Sequence, residues 1–257
     1  MSDLYTISIQ WAPREESPGE LAIRLKQMFA GLYDISTMFQ KWMNVSKSPR
    51  IHQLPLCKIP PDKVELTALI AKKAHFEGSK KNRHLYGYRL QGRNDLGHTN
   101  IVAFYMHIGV TSEEFSSYPN QIDITLAARN EIGKQEQSDL VPAWRCMIQA
   151  WAPDRGSIGS YKFVSKSRGP ADPFPYLCGS WGAYIPAADM TRTALPPGMI
   201  IQKVQDYGFI VLSTTDIFSA DNPQQITDAS RLQEAIEPVW SAGRFGRKNN
   251  NTIFVRH

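Results

Sequence analysis

From Leu4 the chain alternates. Ile7, Ile9 and Trp11 fall on one face, and Thr6, Ser8 and Gln10 on the other, the period of two of a half-buried strand. A polar loop, Ala12 to Glu16, leads into Ser17-Pro18-Gly19-Glu20. There Ser17 suits an N-cap, Pro18 the first helical position, and Glu20 the closing position of a capping box. Leu21, Leu25, Met28 and Leu32 then recur at helical spacing with Phe29 beside them. Glu20, Arg24 and Gln27 lie away from that stripe, and Ile23 breaks the pattern by pointing to the polar side.

Further along, Phe39 to Trp42 reads as a brief strand or turn, and the four prolines between Val45 and Pro61 read as an irregular loop. Pro61 opens a helix carrying Leu66, Leu69, Ile70 and Ala74, which Gly78 ends. Three strands follow: His84 to Gln91, Thr99 to Val110 and Gln121 to Ala127. The second is apolar on both faces, which predicts a central strand covered on both sides. The turns Gly92 to Asp95 and Ser116 to Asn120 suit an antiparallel meander. Asp139 can cap a helix with Leu140, Trp144, Met147, Ile148 and Trp151 on one side, stopped by Pro153. Ser157 to Ser165, Trp181 to Ile185 and Tyr207 to Ser213 read as strands. Ser167 to Pro175 is loop, and Asp221-Asn222-Pro223 opens a last helix through Ile226, Ala229, Leu232 and Ile236.

There is no βαβ rhythm, internal repeat or clear linker. The pattern therefore predicts a single α+β domain over residues 1–257, a mostly antiparallel sheet with flanking helices. Two small sheets, or two subdomains sharing a core, are the alternative.

Composition adds little to this. Hydrophobic residues at 42% and charged residues at 21% describe an ordinary globular chain. No run approaches the roughly 18 apolar residues of a membrane helix, and no signal-peptide pattern opens the chain, so the expected compartment is the cytoplasm. Cys57, Cys146 and Cys178 form no CxxC pair and read as reduced thiols. The net charge of +5 gathers partly in Lys72, Lys73, Lys80, Lys81 and Arg83, and partly in Arg244, Arg247, Lys248 and Arg256. Such patches attract phosphates, though a solvated helix end and a loose tail explain them equally.

Candidate chemistry is sparse. The six histidines form no HExxH or other close ligand pair, and His107 reads as a satisfied core histidine. Gly156 to Ser160 is not a nucleophile elbow, and Glu77 to Lys81 lacks the first glycine of a phosphate loop. No pair of carboxylates is placed for acid–base work. No catalytic residue, metal or cofactor is therefore expected. The acids in predicted loops are Glu15 and Glu16 after the first strand, Glu113 and Glu114 after the central strand, and Asp216 and Asp221 after the Tyr207 strand. If those strands run the same way, the three loops gather at one end of the sheet.

Several segments together carry a family resemblance. They are Tyr5 to Leu21, Phe39-Gln40-Lys41-Trp42, the helix Trp144 to Trp151 with its ending through Asp154, Gly179 to Tyr184, and Gly208 to Thr214 followed by Phe218 and Asn222-Pro223. In order and spacing they resemble the immunity protein 52 family of bacterial polymorphic-toxin and type VI secretion systems. The resemblance covers about residues 5–237 and leaves 238–257 as an extension. Ser180 and the segment Met199 to Asp206 depart from the family pattern. The resemblance implies a non-enzymatic protein that binds and neutralises a cognate toxin. The usual toxin for the family is a nuclease of restriction-endonuclease-like fold, so this chain would be the immunity partner of a type VI effector nuclease from a pseudomonad. A nuclease surface that holds phosphates is basic, which makes Glu15, Glu16, Glu113, Glu114, Asp216 and Asp221 the expected partner-binding residues. A nucleic-acid-binding or nucleic-acid-modifying protein using the basic patches is the other reading.

Overall fold

In the computed structural model, the opening alternation forms β1 (Leu4–Trp11) and the capping box starts α1 (Pro18–Ile35). The Glu20 amide donates to Ser17 Oγ at 3.3 Å, and the Ser17 amide donates to Glu20 Oε2 at 2.8 Å. The Ser17 backbone and hydroxyl bonds hold the Glu20 carboxyl below its usual range. The structure describes residues 4–44, 62–72, 86–95, 100–111, 120–128, 137–163 and 181–242. Outside it lie the proline-rich stretch 45–61, the basic cluster 73–83, Glu113 and Glu114, the loop 167–175, Cys57, Cys178 and the basic tail 243–257.

The remaining strands are β2 (Met43–Asn44), β3 (Tyr86–Asp95), β4 (Asn100–Val110), β5 (Asn120–Ala128), β6 (Arg155–Ser160), β7 (Gly182–Pro186), β8 (Ile200–Val204) and β9 (Gly208–Leu212). Together with β1 they make one antiparallel sheet in the order β2-β3-β4-β5-β1-β6-β7-β9-β8. The helices after α1 are α2 (Lys63–Lys72), α3 (Leu140–Trp151), the short α4 (Ala187–Met190) and α5 (Pro223–Ala242). The α+β, mostly antiparallel expectation thus holds, in a single sheet rather than two.

One face of the sheet carries the main core. Phe104, Ile124, Ile7 and Ile158 stand side by side across four strands and are buried. Phe29 of α1 packs edge-on to Trp42 and Phe104, and Trp11 stacks on Trp151 of α3 at 5.0 Å between centroids. The Trp144 indole donates to the Ser8 carbonyl at 3.1 Å, so even this apolar face leaves that ring's polar atom satisfied. Helices α1 and α3 pack closely enough that a Cβ at Gly31 would lie 2.5 Å from Cys146 Sγ. Burial pushes the Cys146 thiol up to about 11, which makes it a packing residue with little thiolate character.

The opposite face is divided. Ala183, Ile185 and Val211 of β7 and β9 are covered by Leu232 and Ile236 of α5. Towards β6, β1, β5, β4 and β3 the same face becomes polar.

Several expectations need correction. β1 is not half-buried: Thr6, Ser8 and Gln10 are as enclosed as the isoleucines, at 7%, 0% and 1% exposure. Being fifth of nine strands, it has neighbours on both sides, and its alternation separates an apolar core from a polar network instead of core from solvent. β4 is an interior strand buried on its core face, but Ile101, Ala103 and Tyr105 on its other face are only half-buried. The predicted turn at Gly92 to Asp95 lies inside β3, where pairing continues to Asp95 opposite Ile101. Asn94, a turn former by type, instead donates its amide to the Met38 carbonyl at 2.7 Å. β6 ends at Ser160 and not Ser165. Asp139 precedes α3 but makes no side-chain capping bond. The segment departing from the family pattern forms the edge strand β8, and the last helix continues through Pro238 to Ala242.

Candidate functional site

Antiparallel pairing puts opposed residues on the same face, so the register writes out the polar half-face row by row. The first row is Arg89, His107, Gln121, Gln10 and Arg155, from β3, β4, β5, β1 and β6. The second is Gln91, Tyr105, Asp123, Ser8 and Ser157, and the third is Arg93, Ala103, Thr125, Thr6 and Gly159. At the floor Ser8, Gln10, Ser157 and His107 are buried, while the arginines and Asp123 are half-buried and Gln91 is exposed.

The groups in these rows are tied to one another. Ser8 Oγ donates to Asp123 Oδ1 at 2.6 Å, and Gln121 Nε2 donates to Asp123 Oδ2 at 2.6 Å. Arg155 donates twice to the Gln10 carboxamide oxygen, at 3.0 and 2.8 Å, and the Thr6 and Thr125 hydroxyls are 3.2 Å apart. Burial pushes Asp123 up to about 6 despite those two donors, and lowers Arg155 to about 10. The arrangement is a largely enclosed polar network of guanidinium, carboxamide, carboxylate and hydroxyl groups on strands, with donors and acceptors interleaved. Among the described residues there is no group of three or more His, Cys, Asp or Glu that could hold a metal.

The acids expected at the partner surface are distributed differently from one another. β1 and β4 run the same way, because each is antiparallel to β5, whereas β9 runs opposite to β1 across β6 and β7. β1 and β4 therefore finish at one end of the sheet and β9 at the other; Glu113 and Glu114 themselves lie outside the described residues. The Arg14 amide donates to the Val110 carbonyl at 3.1 Å, tying the β1 loop to the end of β4. The Asn120 side chain closes the same corner, accepting from the Val110 amide at 2.8 Å and donating to the Ala12 carbonyl at 3.2 Å.

Glu15 is exposed at that end. Glu16 is engaged within the fold, where its carboxylate meets Arg14 at 2.9 Å and Arg24 at 2.6 Å. Those arginines donate in turn to the Trp151 and Ala150 carbonyls, at 3.0 and 2.9 Å, and so satisfy the C-terminus of α3. At the far end Asp216 is exposed, and Asp221 is exposed and paired with Lys162.

The polar rows are not foreseen from the sequence. Asp123, Gln121, His107 and Arg155 lie far apart in the chain. The usable signal was the second, polar set of positions in β1 and β5, which reads as solvent-facing until the register shows that both strands lie inside one sheet.

The architecture is a single antiparallel sheet with α1 and α3 on one face, and with α5 and an enclosed polar network sharing the other. The chain belongs to the immunity protein 52 family, whose model matches residues 3–243. The match runs past residue 237 into the C-terminal extension. Among solved structures it is similar in fold to the Pseudomonas aeruginosa T6SS protein PA0821, at 9% identity and a TM-score of 0.52, over 91% of this chain and 73% of that one. No curated protein matches it. Among the described residues no helix is long and apolar enough to cross a membrane.

Proposed function

We propose that this protein is a non-enzymatic immunity protein of the cytoplasm that binds and neutralises a cognate nuclease toxin of restriction-endonuclease-like fold. The observation that carries the reading is the match of residues 3–243 to the immunity protein 52 family. The fold likeness to a type VI secretion protein is compatible with it. In this reading the end of the sheet bearing Glu15, where β4 also finishes, faces the toxin's basic phosphate-binding surface, and Glu113 and Glu114, which follow β4 in the sequence, are proposed to act with it. Local negative potential there speeds encounter and fixes orientation, whatever the net charge of the chain. Glu16 supports that loop from within. Asp216 and Asp221, at the opposite end, form a second acidic surface that the same toxin contact does not reach unless the toxin wraps the sheet edge.

The experiment is co-purification with the protein encoded by the neighbouring gene, together with rescue of cells expressing it. Charge reversal of Glu15, of Glu113 and Glu114, and of Asp216 and Asp221 then locates the contact. Loss of association rate in the first two sets, abolished by high salt, supports the acidic end. Unchanged binding and protection in all three sets excludes it.

A further inference from the structure

β8 is the last strand of the sheet on its side, and among the described residues no strand lies beyond it. The direction of its backbone groups follows from two contacts. The Val204 carbonyl accepts from the Tyr207 amide at 2.9 Å, closing the hairpin towards β9. The Lys203 carbonyl instead accepts from Arg145 Nη1 of α3 at 2.8 Å, so it points away from β9. Antiparallel ladders alternate between paired and unpaired residues. Ile201 therefore turns its amide and carbonyl outwards as Lys203 does, and only the Lys203 carbonyl among these groups has a described partner. Ile201 stands beside Val211 on the face that α5 covers, yet it is 49% exposed. Lys203, beside Phe209, is exposed on the same face. Outward strand groups next to an exposed isoleucine are a template for an added strand.

We propose that β8 takes an extended segment of the toxin as a further strand, with an apolar side chain beside Ile201 and a carboxylate beside Lys203 and Arg145. The proposal rests on the toxin-binding reading above and gives that contact a second, basic edge. β8 and β1 run the same way, so Val204 finishes at the end of the sheet that bears Glu15. The two strands are four spacings apart, about 19 Å, a distance one toxin domain spans.

Charge decides between the occupants. Lys203 is the one charged residue of β8, and Arg145 lies against the same edge, donating also to Gln202 Oε1 at 2.6 Å. A second copy of this chain, pairing through its own β8, supplies no carboxylate and brings another Lys203 and Arg145 to the contact. The chain's own residues 243–257 carry Arg244, Arg247, Lys248 and Arg256 and contain neither Asp nor Glu. A segment with a carboxylate two places from an apolar residue complements the edge, because residues two apart share a strand face. Main-chain bonds hold such a segment, and the side-chain pairs select it.

The test uses the full chain and the neighbouring-gene toxin, and reads affinity together with hydrogen exchange at the Ile201 and Lys203 amides. Ile201→Pro removes one outward donor and sets a ring on the edge without removing a bond to β9. Lys203→Glu and Lys203→Gln change only an exposed charge, and thermal denaturation checks that each variant is folded. The expected result is fast exchange of both amides in the free protein and slowed exchange in the complex. Folded Ile201→Pro and Lys203→Glu bind at least tenfold more weakly, and Lys203→Gln loses less than Lys203→Glu. Where Ile201→Pro does not fold, Lys203→Glu and the exchange data decide. Amides that exchange as fast in the complex as in the free protein, or Lys203→Glu binding within twofold of the parent, overturn the proposal. Slow exchange in the free protein also overturns it: slow exchange lost on dilution assigns the edge to a second copy, and slow exchange that persists on dilution assigns it to the chain's own residues. A parent protein that does not bind the toxin at all is a different failure and overturns the functional reading itself.

Discussion

Ser8 and Asp123 stand directly opposite each other in the β1–β5 ladder, and the serine hydroxyl donates to the carboxylate at 2.6 Å. Even so, burial pushes Asp123 up to about 6, above its ordinary 3.8. Between those values the unfolded chain has released a proton that the folded chain still binds. Stability therefore falls as pH rises through that window, and the cost persists above it. Arg155 and His107 in the neighbouring row face the same floor, so the parent's profile alone does not isolate Asp123. Asp123→Asn does. The variant should show a flatter stability profile from about pH 4 to 6 and be at least as stable as the parent at pH 7, provided the Gln121 amide turns to face the new one. Chemical denaturation across that range measures it; an unchanged profile would show that Asp123 is solvated.

Trp11 is 1% exposed, stacks on Trp151, and carries the Arg14 guanidinium over its ring at 5.1 Å. Truncation to alanine leaves a large cavity between β1 and α3. Trp11→Ala should cost roughly 3–5 kcal/mol, read from the denaturant midpoint.

The Glu16 side chain is 7% exposed, while its partners Arg14 and Arg24 are 28% and 35% exposed. The clamp lies between a surface pair and a buried one, so Glu16→Ala should cost about 1–3 kcal/mol. Glu15→Lys should leave the thermal midpoint unchanged. Equal stability effects of the two would remove the structural role assigned to Glu16.

Gly208 has φ +154, and a Cβ there would lie 2.3 Å from the Ile185 carbonyl and 2.9 Å from Pro186 Cα. Those are backbone atoms of the paired strand and cannot move aside alone. Gly208→Ala should therefore destabilise the β7–β9 pairing by more than about 2 kcal/mol, visible as a lowered denaturation midpoint.

Local signals were legible wherever a single element decides its own form. The capping box at Ser17 and Glu20 marks the start of α1, and the Leu140 to Trp151 periodicity matches α3 residue for residue. The failures came from pairing. Gly92 to Asp95 has turn composition, yet Asn94 finds a partner in Met38, and the ladder to β4 carries the segment through. Ile200 to Val204 has no marked pattern of its own and becomes a strand by lying along β9. The polar network was hidden for the same reason: His107, Gln121, Gln10 and Arg155 become neighbours only through the order of four strands. The acidic loops could be named from sequence, but their distribution between the two ends follows from strand direction, and Glu16's engagement follows from where α3 ends.

The central claim is that this chain binds a toxin protein, and the most direct test is the affinity between the purified full-length protein and the product of the neighbouring gene, measured at low and at high salt. The account predicts a specific one-to-one complex that persists at high salt, with an association rate that falls as salt rises, since a mixed interface keeps its apolar and hydrogen-bonded contacts while charge steering is screened. No complex at either salt, or binding to nucleic acid that collapses steeply with salt in place of the complex, would contradict it.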